Sequence, residues 1–157
     1  MKPNVSAVLP LLVLILLCMG CAEKKPAVVL HTHDGSASVT VDVELARTAG
    51  QRAMGLMYRT KLGRMRGMLF LFEQEQIHSF TMHNTLIPLD IIFMDSSGTV
   101  IGIIADTQPY ARGPFCIGIP SRYVLEVNAG FCARHGIRPG DRATFVNIPG
   151  HESQTLR

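Results

Sequence analysis

From Val39 to Leu45 the sequence VTVDVEL puts an apolar side chain at every odd position and a polar one at every even position. A period of two is the signature of a strand with one face in a core and the other toward water. Ala27–Thr32 reads as its partner, with His33-Asp34-Gly35-Ser36 as the turn between them, so the fold opens on a hairpin. In TAGQRAMGLMYR, Thr48 and Gln51 have capping-box spacing and predict a short helix. Arg52 and Arg59, seven residues apart, would then share nearly one helical stripe, with Gly55 as a notch between them. Apolar or β-branched runs at 67–72, 78–84, 89–94, 99–105 and 122–127 predict further strands, and Asp95-Ser96-Ser97-Gly98 turns 89–94 back onto 99–105. A brief helix over 131–135 is stopped by Gly136, and the turn Arg138–Asp141 leads into a last strand, RATFVN. Residues 107–120, with three Pro, two Gly and no periodicity, predict a long loop. About seven short strands and two short helices, without strand-helix alternation, give a mainly β fold: a compact sandwich or a partly open barrel.

The length of 157 residues allows one domain, and 47% hydrophobic against 17% charged residues excludes a disordered chain. A net charge of +3 gives no reason to expect a nucleic acid partner. The front end has a different logic. An apolar run from Ala7 to Leu17, after a single Lys, is about half the length that spans a bilayer as a helix and reads as a signal-peptide core. Gly20-Cys21 resembles the lipobox of bacterial lipoproteins, which implies a signal peptide at 1–20, acylation of Cys21 and a bilayer as partner; an ordinary secretory signal cleaved nearby is the alternative. Ala22 rather than Asp after that cysteine implies sorting to an outer membrane facing the periplasm. Residues 21–27 would be the tether, 28–148 the domain and 149–157 a loose tail. With Cys21 acylated, Cys116 and Cys132 remain as an even pair in an oxidising compartment, where a disulfide is the natural reading and two unrelated buried thiols the alternative.

Several segments compose one pattern: Arg52-x-x-Gly55-Leu56-Met57-x-Arg59, Gly67-Met68-Leu69-Phe70-x-Phe72, Phe80-x-Met82-x-Asn84-Thr85-x-Ile87-Pro88-Leu89-Asp90-Ile91, Tyr123-Val124-Leu125-Glu126, Asn128-Ala129-Gly130 and Gly136-Ile137-x-x-Gly140-Asp141. Over about Val28 to Val146 the chain resembles the family catalogued as domain of unknown function 192. The resemblance implies a small, often exported β-rich domain and brings no agreed activity. His83 stands where that family usually has a basic residue.

The candidate chemistry centres on Asp90, between Pro88-Leu89 and the buried run IIFM. A carboxylate there needs a partner, and Arg52, Arg59 or Arg122 would supply one. Two readings follow: a polar-ligand pocket in which Arg52, Arg59, Asn84 and Thr85 contact a ligand while Asp90 holds the arginines, or a structural ion pair pinning helix to sheet. Arg122 and Glu126 share a strand face and extend that pocket or form a solvated rim. Tyr110 and Phe115 would give apolar contact from the long loop. A lipid-anchored module binding a small ligand or an envelope protein, without a cofactor, is the favoured function. One alternative is a copper-handling protein using imidazole and thioether donors from His31, His33 with Asp34, Met57, Met68, His78, Met82 and His83. The other is a hydrolase with Asp90 and Glu126 as acid and base. No G-x-S-x-G elbow and no phosphate-cradling glycine loop is present in the sequence.

Overall fold

The computed structural model describes residues 25–150; the leader, Cys21 and the end of the tail lie outside them. Seven strands form one sheet: β1 Ala27–His31, β2 Ser38–Ala46, β3 Arg66–Gln76, β4 Leu89–Met94, β5 Val100–Thr107, β6 Ser121–Asn128 and β7 Arg142–Val146. Their order is β5-β4-β6-β3-β2-β1-β7. All neighbours run antiparallel except β2 and β3, which are parallel and joined across the short helix α1, Ala49–Met54. The mainly β expectation therefore holds, in the form of a single sheet curled into a half-barrel.

The curl brings the two edge strands together at one end. Thr99 bridges Arg142, and Ala143 N–H donates to the Gly98 carbonyl at 2.7 Å. Gly98 has φ +81°, and a Cβ there would lie 2.6 Å from the Ala143 oxygen, so the seam requires glycine.

Alternation along the strands feeds two separate cores. Val41 and Val43 of β2, Leu69 and Leu71 of β3, Ile92 and Met94 of β4 and Leu125 and Val127 of β6 pack inside the half-barrel. The second short helix, α2 Phe131–His135, joins this inner core through Phe131 and Cys132. Met68 and Phe70, Ile91 and Phe93, and Val124 point to the outer face, where Leu56, Met82 and Ile87 cover them. Both faces of β4 are buried, so all six of its residues are withdrawn from water.

Two local predictions of the sequence appear in full. The alternating run 39–45 is the middle of β2, and the capping box is formed, Thr48 Oγ1 accepting from Gln51 N at 3.2 Å and Gln51 Oε1 from Thr48 N at 3.0 Å. Two others need correction. Residues 78–84 make one bridge, Phe80 to Phe115, and then a turn with Asn84 at φ +50°. Phe80 and Met82 do point alternately into the outer core, but only one residue of the long loop lies alongside to pair with them. Helix α1 stops at Gly55, so Arg59 lies beyond it and shares no helical stripe with Arg52.

Replacing Gly98 by Ala is expected to destabilise the fold by about 2 kcal/mol, from a strained φ and the clash at the seam. Urea denaturation of the variant beside wild type measures it.

Candidate functional site

Asp90 is fully buried, but its partners are backbone groups. Its Oδ1 accepts from Asp106 N at 2.9 Å and Gly130 N at 3.1 Å, and its Oδ2 from Cys132 N at 2.9 Å. The carboxylate thus ties β4 to the end of β5 and caps α2, where free N–H groups and the helix dipole favour an anion. The expectation of an arginine partner, and of a ligand pocket around Asp90, is corrected: the requirement for compensation is met by three N–H donors, and the side chain faces the inner core.

The cavity lies on the opposite face. It encloses about 290 Å³ between α1, the segment 78–81 and the outer face of β3 and β6, near the lower end of small-molecule sites at ~300 Å³. Leu56, Met57, Phe70 and Phe80 give it apolar walls, and Thr85 and Glu126 line it as well. Phe80 meets Phe70 edge-on at 5.0 Å and 88°, which fixes the wall.

Glu126 is 5% exposed, and its carboxyl has no hydrogen-bond or ion-pair partner among the described residues. Strand pairing sets it between Met68 of β3 and Ile91 of β4, both apolar. Burial raises its pKa from the usual carboxyl range to about 8, so at neutral pH it is mostly a protonated hydrogen-bond donor. The other carboxylate on this face nearby, Glu44, opposes Met68 on β2, ~10 Å from Glu126 across two strand spacings. Glu44 is engaged by Arg59 in a two-pronged pair, both contacts 2.6 Å.

Arg52 stands at the other end of the cavity. Its Nη1 donates to the Arg47 carbonyl and, at 3.1 Å, to the Leu71 carbonyl, and its guanidinium lies 5.0 Å from the Phe72 ring centre. No carboxylate pairs with it among the described residues. His78 stacks on Phe72 at 3.4 Å and 17°, and its Nε2 is buried without a hydrogen-bond partner among those residues. Burial pushes the imidazole pKa down and the Arg52 cation adds to this, while the Ser121 backbone opposes it.

Of the residues singled out in the sequence, the cavity brings together Arg52, Thr85 and Glu126 from the polar-pocket set and Met57 and His78 from the copper set. Arg59 is taken by Glu44, and Asn84 donates to the Tyr58 hydroxyl at 2.7 Å. Arg122 lies 5.8 Å from the Tyr123 ring with its Nε buried and unpartnered among the described residues. Of the loop aromatics, Phe115 packs on the outer core and Tyr110 is exposed. The acid-base pairing of Asp90 with Glu126 is excluded by the pleat: Asp90 opposes Val127, so it and Glu126 project from opposite faces.

The copper donors do not form one group: His31 bonds Thr144, His33 is exposed, Met57 and His78 line the cavity with His78 stacked on Phe72, and Met68 and Met82 pack in the outer core, where the Met82 sulfur accepts from Thr107. The disulfide is also corrected. Both cysteines are free thiols; Cys132 is buried in the inner core, whereas Cys116 is exposed beside Phe115 and Ile117, which pack on the outer core, so the sheet separates them.

Sequence reasoning missed the aromatic wall of the cavity, Phe70, Phe72 and Phe80, and took His78 for a copper donor where it stacks on Phe72 beside Arg52. The even spacing of the phenylalanines in Phe70-x-Phe72 placed them on one strand face, which was the available signal.

The DUF192 profile, described as an uncharacterised conserved group, matches residues 29–145. The chain belongs to the DUF192 family. Among solved structures, this DUF192 chain is similar to a Sinorhizobium meliloti protein provisionally described as a transcription regulator, at 38% identity and a TM-score of 0.76, covering 79% of this chain and 95% of that one. It is also similar to a Novosphingobium aromaticivorans protein of unknown function, at 42% identity and a TM-score of 0.70, covering 74% and 82%. No curated protein matches it.

Two outcomes are expected for the carboxylates. Replacing Asp90 by Ala orphans three N–H groups, that of Cys132 buried and those of Asp106 and Gly130 part-buried, and should lower stability by about 3 kcal/mol or more, read from denaturant midpoints. Glu126 carries the opposite sign of ordinary carboxylates. Its folded-state pKa is raised, to about 8, so its contribution is intact below the unfolded value and is lost as pH rises, at up to ~1.4 kcal/mol per pH unit. Between pH 5 and pH 8 the wild type should therefore lose a few kcal/mol relative to E126Q, whose curve lacks this slope.

Proposed function

We propose that this DUF192 protein is a binding module for a small organic ligand, held at the cell envelope by lipid on Cys21. The observation that carries the ligand reading is Glu126, a carboxyl buried at the cavity wall with no partner among the described residues. Leaving a polar group largely out of water and unpaired costs up to about 1–3 kcal/mol, a cost that a bound ligand reduces by accepting its hydrogen bond. The aromatic walls supply apolar contact area, and Thr85 and Arg52 supply the few polar groups that orient a guest.

The envelope part of the reading rests on the leader. The apolar run at 7–17 and the Gly20-Cys21 pair are what an exported lipoprotein precursor carries, and two or three acyl chains on one cysteine would anchor the domain firmly.

A thermal-shift screen of small organic compounds, run on the mature full-length protein in detergent, tests the binding reading. Compounds that raise Tm in wild type should bind E126Q about tenfold more weakly, equivalent to ~1.4 kcal/mol. A screen without stabilising compounds, or with compounds indifferent to E126Q, overturns it. Labelled palmitate should appear on the wild type and be absent from the Cys21→Ala variant, which should leave the membrane fraction.

A further inference from the structure

The cavity has two chemically different ends. Glu126 lies level with Met68 in the strand pairing, and Phe72, on which both Arg52 and His78 rest, is four residues further along β3. At ~3.3 Å per residue the two levels are about 13 Å apart. Between them the wall is Phe70, faced by Phe80.

Each end lacks a partner of a particular kind. Arg52 is held by the Arg47 and Leu71 carbonyls through one nitrogen and has no carboxylate to neutralise it among the described residues. A cation fixed in this way, with the rest of its donor fork uncommitted, suits an incoming carboxylate or phosphate. Glu126 has no cation near it: Met68 and Ile91 flank it, Arg59 is spent on Glu44, and Arg52 with His78 stands at the far end. The strongest partner for an isolated carboxyl in such surroundings is a basic nitrogen, which takes its proton and forms a charge-assisted hydrogen bond. The proton passes from the Glu126 carboxyl to the nitrogen, or to solvent when the nitrogen enters already protonated.

Resting on the binding reading above, we infer that the cavity takes an elongated zwitterion, with an anionic group at Arg52, an apolar body across Phe70 and Phe80, and a basic nitrogen at Glu126. Neither end alone accounts for both a carboxyl without a partner and a cation without a carboxylate, and the four-residue offset along β3 favours a long molecule over a compact one.

Isothermal titration of the full-length protein with four chains of equal length tests this: ω-aminooctanoate, octanoate, octylamine and ω-hydroxyoctanoate. The amino acid is expected to bind at least tenfold more tightly than each of the other three. E126Q should abolish its advantage over the hydroxy acid, and R52Q its advantage over octylamine, with Tm and circular dichroism showing that both variants are folded. If R52Q does not fold, the octylamine comparison in wild type and the E126Q result decide alone. Titrations in buffers of different ionisation enthalpy should show proton release on binding the amino acid in wild type and none in E126Q. Equal binding by octanoate, octylamine or the hydroxy acid overturns the two-ended assignment while the ligand screen still stands on its own result. Failure of all four to bind overturns it as well, and the screen separately decides whether the cavity binds anything.

Discussion

Three backbone N–H groups from distant parts of the chain converge on the Asp90 carboxylate, and much of the rest of the fold follows from that one compensation. The charge fixes the end of β5 against β4 and helps seat α2 over the inner core, beside the apolar contacts of Phe131 and Cys132. Because the charge is satisfied by main chain, no arginine is drawn inside the half-barrel. Arg59 is left to brace β2 through Glu44, and Arg52 to span the carbonyls of Arg47 and Leu71. The outer face is thereby free to hold a second acid, Glu126, whose surroundings do the reverse and leave it neutral and unpaired.

Holding that second acid is costly for a domain whose net stability is of order 10 kcal/mol. Leu or Gln at the same place would remove the pH penalty, and neighbouring β6 positions Val124 and Val127 show what the strand accepts when only packing matters. The pairing of a destabilising group with an adjoining cavity is the usual form of a site kept at the expense of stability. Strands on both sides, β3 and β4, set Glu126 in register between Met68 and Ile91 on the face that the cavity occupies.

How much of this was legible in the sequence depended on whether a feature had a local signature. The period-two run in β2 and the Thr48–Gln51 box depend on near neighbours and could be read directly. Burial of Asp90 was legible too, from its place between Pro88-Leu89 and IIFM, but its partners were not, since backbone donors brought together by folding leave no side-chain trace. Glu126 was ambiguous for a related reason. In RYVLEV both faces of the strand are buried, so polar alternation no longer marks which side meets water, and a lone Glu reads as rim. The cysteine pairing failed because counting thiols says nothing of which face of a sheet each occupies.

The seam at Gly98 and Ala143 has a bearing on how the molecule behaves among its own kind. An open seven-stranded sheet would present two rows of unsatisfied main-chain groups on which further copies could grow into fibres. Here the outermost strands meet each other at one end, and further along β5 the Ile117 side chain lies over Gly102, 2.7 Å from where a Cβ would stand. Crowded at high local density, such a body would have little flat ribbon to offer a neighbour, and its remaining contacts would be those of loops and side chains.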